Sequence, residues 1–591
     1  MMFRLKLTRR TALGTAVTLA ASAGAQALAA QETGSADEGQ RTFLRLLKSS
    51  DETVLSPAQG RGLGRGGNVA AMVAAYCSRE SVHYRSERLI PLMENASRAF
   101  VNAQNPDGTL DAGNLASPPD TGFVVEGLAA SLGVLRTVDD PRLQQTKDTL
   151  TKFLLAAGEA LVTGGIHTPN HRWVVCSALA RIHKLFPADK YVNRIDDWLG
   201  EGIYQDGDGQ FEERSTGIYS RVTDNAFLTV SRLLNRPALL DPVRRNLEMN
   251  LYYLHPDGEM ETVASRRQDQ NMAVSAANYY LQYRYLAIHD NNPRFAAVTR
   301  LIQERSNVGF VEGANPLIYF LDEPLLRKPL PEGGAVPSDY AKVFPNSGVA
   351  RIRRGAISAT VYGGSDWPLG VASGLAANPT FFTLRKGRAV LESVRMGGQF
   401  FSEGVFRSEG LALDGQRYTL HQRFDAPYYQ PLPRNLRNPR GDYALTPARD
   451  VRFWSKLDFP HRQMSNVQVL DQKVTIAENQ GTFELRFEIT GHSRVPYAVE
   501  LAFRPGGEFT GSLEEVTTRD NAKVYFLKDG VGRYRVGDDV IEFGPGQAEH
   551  QQINLSGPSY AAHGATLRAR GTCVYLTGFT PFQKVVTIKP V

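Results

Sequence analysis

Apolar residues recur at three- and four-residue intervals along the first half of the chain, from about Asn68 to about Asn307. That spacing places the apolar side chains on one face of a helix, so the pattern predicts a series of amphipathic α-helices. Proline and glycine residues separate the segments. The predicted helical segments are Asn68–Phe100, Gly122–Val138, Pro141–Thr163, His171–Phe186, Thr216–Leu234, Asp241–Leu254 and Gln270–His289.

One turn sequence, Asp-Gly, recurs inside this helical half. It occurs at Asp107-Gly108, Asp208-Gly209 and Asp257-Gly258, so the turns are 101 and 49 residues apart. The intervals indicate helical hairpins of about fifty residues, as in a repeat architecture. Antiparallel helix pairs closed into a ring, an (α/α) toroid, explain this interval. An open helical solenoid is the alternative.

The pattern changes beyond Ser347, where short runs alternate polar and apolar residues between glycine, proline, asparagine and aspartate. Such runs are typical of a large antiparallel β-sandwich. They are Val349–Arg353, Ala356–Tyr362, Lys473–Ala477, Thr482–Ile489, Tyr497–Phe503, Lys523–Lys528, Val540–Phe543 and Cys573–Leu576. We therefore expect a multidomain α+β protein with a toroid at residues 31–325, a linker at 326–345 and a β-sandwich at 346–591.

The first 30 residues have the features of an export signal. A basic start that contains Arg9-Arg10 precedes the mostly apolar run Ala12–Ala23, and Ala27-Leu28-Ala29 fits a cleavage site. The arginine pair predicts twin-arginine export, with an ordinary secretory signal as the alternative. The protein is expected to be periplasmic or secreted, with no membrane anchor after cleavage.

Charge and cysteine content narrow the classes of partner. The chain of 591 residues has a net charge of +6, which falls to +2 when the four basic residues of the export signal are removed. This weak field, without a recognition motif, disfavours a nucleic-acid partner. Cys77, Cys176 and Cys573 fit no zinc or redox spacing. We expect no required cofactor, and a structural calcium or zinc ion stays open.

The first cluster of candidate functional residues lies at the start of a predicted helix. It consists of Asn170, His171, Arg172 and Trp173. An amide, an imidazole, a guanidinium and an indole together are a composition typical of sugar-binding sites. The simpler alternative is that Asn170 only caps the helix.

Two further clusters follow the second and third Asp-Gly turns. One places Tyr219 in the first turn of a predicted helix, near Glu213, Arg214 and Arg221. The other contains the pair Arg266-Arg267. Paired arginines suit carboxylate binding because a guanidinium donates two parallel hydrogen bonds, although a solvated loop is the simpler interpretation.

The order and spacing of these clusters resemble the hyaluronate/chondroitin lyase family of (α/α)-toroid polysaccharide lyases and their heparinase II/III-like relatives. The matching residues are Asn170, then Asp208-Gly209-Gln210-Phe211 leading to Thr216-Gly217-Ile218-Tyr219, then Arg266-Arg267. The steps from Asn170 to Tyr219 and from Tyr219 to Arg266 are 49 and 47 residues. The stretch Phe344–Arg353 also resembles the opening of the β-domain in heparinase II/III-like proteins.

The resemblance implies β-elimination on a uronic-acid-containing polysaccharide or oligosaccharide, which leaves an unsaturated uronate end. Tyr219 would protonate the departing oxygen, and Asn170 with an arginine would neutralise the uronate carboxylate. His171, or Tyr219 itself, would take the proton. The expected substrate-binding residues are Arg172, Trp173, Glu213, Arg214, Arg221, Arg266 and Arg267.

The sequence also departs from the family pattern. The family places a catalytic histidine between its Asp-Gly motif and its tyrosine, and here residues 212–215 contain none. The His-x-His pattern of some heparinase-like metal sites is also missing. Two alternatives stay open. One is an α/α-toroid glycoside hydrolase, which would pair carboxylates from Glu126, Asp208, Glu212 and Glu213. The other is a non-catalytic glycan-binding protein.

Overall fold

The structure is a computed structural model that describes residues 38–55, 66–305, 316–366, 378–401, 406–449, 454–518, 523–553 and 571–591. The predicted export signal lies outside the described residues. Within the described ranges the N-terminal part is helical and the C-terminal part forms a large, mostly antiparallel β-sheet. This confirms the predicted α+β class.

The helices follow the predicted apolar periodicity where a helix was predicted, with two differences. The predicted segment Gln270–His289 is helical only in its second half, because Val274–Ser275 pairs as a short strand and the α-helix begins at Tyr280. The predicted segment Asn68–Phe100 forms two helices, because the polar and charged residues after Cys77 interrupt its apolar face. The helices are α1 (Glu38–Asp51), α2 (Gly67–Cys77), α3 (Leu89–Ala103), α4 (Pro118–Arg136), α5 (Gln144–Thr163), α6 (Pro169–Leu185), α7 (Asp189–Gly200), α8 (Tyr219–Leu233), α9 (Leu240–Tyr253), α10 (Tyr280–His289), α11 (Pro293–Arg305) and α12 (Pro316–Asp322).

The three Asp-Gly turns have the same local structure. In the first, the Asn105 N–H donates to the Thr109 carbonyl (2.8 Å) and the Gly108 N–H donates to the Asn105 carbonyl (2.9 Å). Equivalent bonds join Asp206 with Gln210 and His255 with Glu259. The turn glycines have φ angles of 91°, 97° and 88°, which explains why glycine occupies this position. The recurring sequence therefore marks a recurring hairpin.

The C-terminal sheet contains every strand predicted from the alternating pattern, together with others that were not predicted. Among the described strands of this sheet, all neighbouring pairs are antiparallel except β16 with β18. The strands of the whole chain are β1 (Glu259–Met260), β2 (Val274–Ser275), β3 (Asp339–Phe344), β4 (Val349–Arg354), β5 (Ile357–Tyr362), β6 (Phe382–Lys386), β7 (Ala389–Gly398), β8 (Ala412–Asp414), β9 (Arg417–Tyr429), β10 (Thr446–Pro447), β11 (Trp454–Ser455), β12 (Met464–Asn479), β13 (Thr482–Gly491), β14 (Pro496–Phe503), β15 (Glu508–Thr517), β16 (Lys523–Val536), β17 (Asp539–Gly544), β18 (Thr572–Phe579) and β19 (Phe582–Pro590).

The strand order explains where the core of the sheet lies. It runs β3-β4-β5-β6-β7-β14-β18-β16-β17-β19-β13-β12-β9-β8, and β15 pairs with β16. Strands β1 with β2, and β10 with β11, form two separate two-stranded ribbons. A continuous hydrophobic cluster joins residues from β4 to β19 and includes Phe382, Phe483, Tyr497 and Phe543. This cluster is the core that holds the strands together.

The chain divides into two compact units that are not contiguous in sequence. The first comprises the described residues within Met1–Gly202, Thr223–Asp241 and Ala277–Val336. The second comprises those within Ile203–Val222, Pro242–Ala276 and Pro337–Val591. Two segments of the helical half, which carry the second and third Asp-Gly turns, thus belong to the unit that contains the sheet. Strand β3 begins at Asp339, inside the segment predicted as a linker.

A buried ion-pair network lies in each unit. In the first, Arg181 donates to Glu126 (2.9 Å) and to Asp322 (2.7 Å), which also accepts from Arg232. Leaving one of these buried charges without its partner would cost several kcal/mol, on the order of 3–5. The network therefore ties α4, α6, α8 and α12 to one arrangement.

In the second unit, the third Asp-Gly turn is joined to the sheet by buried polar groups. The His255 Nδ1 lies 2.9 Å from Ser358 Oγ, and Arg351 donates to Glu261 at 3.2 Å. Burial lowers the pKa of His255 to about 3. Burial alone would raise the pKa of Glu261, but hydrogen bonds and the Arg351 charge hold it well below its usual range. His255 is therefore neutral and Glu261 is ionised.

Both groups should make the fold sensitive to acid. Unfolded histidine takes up a proton near pH 6.5 and unfolded glutamate near pH 4.3, whereas the folded groups resist protonation, so stability falls as the pH decreases from about 6.5. We expect His255→Asn to lose less unfolding free energy than the wild type between pH 6.5 and 4.5, by on the order of 2 kcal/mol. Urea unfolding at several pH values measures this difference. The same pH dependence of the unfolding free energy in the two proteins would contradict this expectation.

Candidate active site

The second and third predicted clusters meet in the second unit around the buried side chain of Asp269. Its carboxylate accepts hydrogen bonds from Ser215 Oγ (2.9 Å), Ser265 Oγ (2.6 Å) and the Gly217 N–H (2.9 Å). Burial raises the pKa of Asp269, and these hydrogen bonds oppose the rise. The carboxyl group thus joins the loop before α8 to the loop that follows β1.

Tyr219 is placed by this junction. Ser215 Oγ accepts from the Tyr219 N–H (3.0 Å), and Tyr219 is the first residue of α8. The half-buried Tyr219 ring lies under the guanidinium of Arg267, with 4.7 Å from Arg267 Cζ to the ring centroid. Gln268 Nε2 donates to the phenol oxygen at 2.6 Å. The phenol therefore has one fixed donor, and its own proton is free to donate elsewhere.

Glu213 completes this group, because its carboxylate lies 3.2 Å from Arg267 Nη1. Glu213 is 7% exposed, so the ion pair lies away from bulk water. Two buried polar atoms next to Tyr219 have no hydrogen-bond partner among the described residues: Arg267 Nε and Gln268 Oε1. Buried polar atoms in folded proteins are rarely left without a partner, and exceptions often mark functional positions. We call Tyr219, Glu213, Arg267 and Gln268 the tyrosine cluster.

The other predicted arginines of this unit have different surroundings. Arg266 donates two parallel hydrogen bonds to Asp366 (2.8 and 2.9 Å) and a third to the Glu212 carbonyl. Arg214 donates to the carbonyl of Asn346 at 2.7 Å, and Arg221 is half-buried in the first turn of α8. Arg266 and Arg214 therefore hold loops in place, and Arg267 is the guanidinium that contacts Tyr219.

The first predicted cluster lies in the first unit, at the start of α6. The helix begins at Pro169, so Asn170 lies inside its first turn and is not the cap. Asn170 is 1% exposed and donates to Thr168 Oγ1 at 3.3 Å. The buried His171 ring makes edge contacts with the rings of His167 and Phe123.

Arg172 and Trp173 contact each other in the same turn. The Arg172 guanidinium lies 4.6 Å from the indole centroid and is paired with Glu201 at 3.1 Å. Trp173 is 4% exposed and packs on Phe227 with 4.9 Å between ring centroids. This is the environment of a core side chain, and it does not present an open aromatic face for a sugar ring.

The carboxylates that a glycoside hydrolase would need are already engaged or exposed. Glu126 belongs to the buried network with Arg181. Asp208 accepts from the Asn346 amide (3.2 Å) and from the Ser347 N–H (2.9 Å). Glu213 is paired with Arg267, and Glu212 is exposed. Three of these four carboxyl groups are therefore engaged by other side chains or by a backbone N–H group.

The described ranges contain neither a grouping of metal-ligand side chains nor a helix suited to a membrane. No group of three or more histidine, cysteine, aspartate or glutamate side chains there is arranged to hold a metal ion. None of the helices there has both the length and the apolar composition needed to cross a membrane.

Sequence reasoning assigned no role to Gln268 or Asp269. Both belong to the predicted third cluster, but a glutamine and an aspartate in a polar loop look like solvated residues. Ser215 lies four residues before Tyr219, and Ser265 lies directly before the arginine pair. The presence of a serine before each group of candidate residues was the available sign that both loops donate to one acceptor. This sign is weak without the structure.

Comparison with known proteins identifies the fold. No family model matches the chain, and no curated protein matches it. Heparinase III matches with a TM-score of 0.53 and 12% identity over 90% of this chain and 77% of that chain. The chondroitin AC lyase of Streptomyces coelicolor A3 gives 0.52 and 14% over 93% and 79%. A Paenibacillus xanthan lyase gives 0.52 and 10% over 94% and 57%. The chain therefore shares the fold of solved polysaccharide lyases.

The close packing of Gly217 against Asp269 can be tested directly. A Cβ at Gly217 would lie 2.8 Å from Asp269 Oδ2 and 3.0 Å from Val274 Cγ2. Because Asp269 is held by three hydrogen bonds, we expect Gly217→Ala to cost about 1–3 kcal/mol of stability and to displace Tyr219. Thermal unfolding measures the cost. Gly200→Ala is the matched control, since a Cβ there meets no atom within 4 Å. Equal melting temperatures for both variants would contradict the prediction.

Proposed function

We propose that this protein is a polysaccharide lyase that cleaves a uronic-acid-containing glycan by β-elimination. The observation that carries the proposal is the tyrosine cluster: a phenol under one guanidinium, with its oxygen fixed by an amide donor. The fold shared with heparinase III, chondroitin AC lyase and xanthan lyase supports the same class of enzyme. An acidic polysaccharide or oligosaccharide is the proposed substrate.

The proposal extends to architecture and location. The helical hairpins that follow the Asp-Gly turns are proposed to form an (α/α) toroid, and the C-terminal sheet is proposed to fold as a β-sandwich. The basic and apolar character of the first 30 residues supports export to the periplasm or the medium, by the twin-arginine route or by an ordinary secretory signal.

The chemistry follows from the substrate. Elimination removes the proton at C5 of the uronate, forms the C4–C5 double bond and breaks the bond between C4 and the glycosidic oxygen. Tyr219 is proposed to give its proton to the departing oxygen as the general acid. Gln268 Nε2 donates to a lone pair of the phenol oxygen. The hydroxyl proton then points away from Gln268 and can be donated to another group.

Negative charge at the uronate makes the C5 proton difficult to remove, so the carboxylate must be neutralised. Arg267 is proposed for this task, because its Nε has no partner among the described residues while its Nη1 is fixed by Glu213. Arg266 is a weaker candidate, since Asp366 already accepts two of its hydrogen bonds. Glu213 would hold Arg267 and would not itself react.

The proton acceptor is proposed to be Tyr219 itself or His171. Asn170 and His171 belong to the first unit. Their predicted roles, neutralisation of the carboxylate by Asn170 and proton acceptance by His171, are tested by activity measurements on variants. If Tyr219 performs both steps, it loses its own proton before it receives the one from C5. If His171 is the base, His171→Ala should abolish elimination while Asn170→Ala weakens it.

A panel of alginate, hyaluronan, chondroitin, heparan, glucuronan and rhamnose-capped plant gums tests the proposed reaction. We expect one of them to yield the ultraviolet absorbance of an unsaturated uronate. Tyr219→Phe should lower the rate by roughly 100- to 10,000-fold, because it removes the general acid and keeps the ring. New reducing ends without absorbance would identify a hydrolase. Binding without any product would identify a non-catalytic protein.

Substitution by lysine separates the roles of the two neighbouring arginines. Arg267→Lys should raise KM and lower kcat/KM by about tenfold or more, because lysine cannot keep both the Glu213 pair and a further directed donor. Arg266→Lys is the matched control and should lower the melting temperature with a smaller effect on KM, since its partner is Asp366. Initial rates give KM and kcat/KM for both variants, and thermal unfolding gives their melting temperatures. A larger KM effect for Arg266→Lys would reverse the assignment.

A further inference from the structure

A folded excursion leaves the sheet of the second unit between β9 and β12. These strands pair directly, with Met464 opposite Tyr429, and the Gln430 N–H donates to the Gln463 carbonyl at 2.8 Å. The excursion therefore starts and ends at one point of the sheet. Its described residues are 431–449 and 454–463, and we call them the basic excursion.

Internal contacts hold the basic excursion in shape. The Phe459 ring is 4% exposed and packs on Tyr429, with 4.7 Å between the ring centroids. Leu432 and Ala448 are also buried. Asn438 organises the turn before Tyr443, because its carbonyl oxygens accept the N–H groups of Arg440 (3.0 Å) and Gly441 (2.9 Å). The surface is thus preformed, which lowers the entropic cost of binding.

The charge of the basic excursion is strongly positive. Its described residues contain six basic side chains, Arg434, Arg437, Arg440, Arg449, Lys456 and Arg462, against two acidic ones, Asp442 and Asp458. All of the basic side chains except Arg462 are exposed. This is a local excess, since the whole chain without its export signal has a net charge of only +2.

The arginines of the basic excursion are not neutralised by its own carboxylates. Arg437 donates to the carbonyl of Leu432, and Arg462 donates to the carbonyls of Leu457 and Gln430. Within the described ranges, the ion pair formed by the six basic side chains is that of Lys456 with Asp442. The arginines therefore keep donors that suit an external carboxylate or sulfate group.

An exposed aromatic side chain accompanies these charges. Trp454 lies on the ribbon formed by β10 and β11, opposite Pro447, and is 62% exposed. Such exposure is unusual for a large aromatic ring, and aromatic faces stack on sugar rings and on other flat groups. Tyr428, at the base of the excursion, is 54% exposed.

We infer that the basic excursion is a second glycan-binding surface, which holds a chain of acidic polysaccharide in addition to the tyrosine cluster. The inference rests on the proposed function for the class of glycan. Guanidinium groups would contact the carboxylate or sulfate groups, and Trp454 would stack on a sugar ring. A nucleic acid or an anionic membrane would use the same charges, and both are outcomes of the test.

The test measures binding by affinity electrophoresis in native gels that contain acidic glycans, with dextran as the neutral control. The Tyr219→Phe protein is the background, so the glycan is not cleaved during the run. In that background, the triple variant Arg434→Ser, Arg437→Ser, Arg440→Ser should weaken retardation roughly tenfold, and Trp454→Ala should weaken it severalfold. Thermal unfolding confirms that each variant is folded.

The matched control removes three other exposed basic charges of the same unit: Lys473→Ser, Arg486→Ser, Arg533→Ser. These residues already pair with Glu488, Glu484 and Glu542, so retardation should change less than about twofold. Equal weakening by the control, or no retardation of the Tyr219→Phe background by any acidic glycan, would overturn the inference. Equal or stronger binding to DNA or to anionic vesicles, lost in the same variants, would also overturn it.

The binding result is independent of the elimination result. A protein that is retarded by acidic glycans through this surface but forms no unsaturated uronate would keep the inference and lose the proposed reaction. A protein that forms the product with unchanged retardation in the triple and Trp454 variants would keep the reaction and lose the inference.

Discussion

The candidate active site depends on the hydrogen bonds that surround one buried carboxyl group, that of Asp269. Its donors come from Ser215 and Gly217 on one loop and from Ser265 on another, about fifty residues later. A buried carboxylate without donors would be strongly destabilised, so the two loops must stay together for the fold to be stable. Arg267 and Gln268, which precede Asp269 in sequence, contact Tyr219 because these hydrogen bonds hold their loop beside the start of α8.

Buried polar contacts also hold another irregular segment of the second unit. The third Asp-Gly turn carries Glu261, which is ionised and paired with Arg351 of β4, while the neighbouring His255 stays neutral. Short irregular segments bury little apolar surface of their own, so buried polar contacts determine where they lie. Such contacts keep a phenol and a guanidinium in fixed positions, which is what electrostatic catalysis requires.

Much of the fold could be predicted because helices and half-buried strands have a period that neighbouring residues reveal. One failure lies where that period is absent. Strand β7 (Ala389–Gly398) is buried along nearly its whole length and does not alternate. The segment Asn68–Phe100 has apolar residues at helical spacing on both sides of a polar break that begins at Ser78, so one helix was predicted where two form. Both errors come from patterns that local spacing cannot resolve.

The sequence by itself determined the order of the elements, the recurring Asp-Gly hairpins and the residues from which a site could be built. Only the tertiary structure decided which of two adjacent arginines contacts Tyr219: Asp366, a hundred residues away, engages Arg266 and leaves Arg267 over the ring. It also buried Trp173 against Phe227. Periodicity and turns arise from contacts between near neighbours in sequence. The partners of a long polar or aromatic side chain are chosen by packing between distant segments.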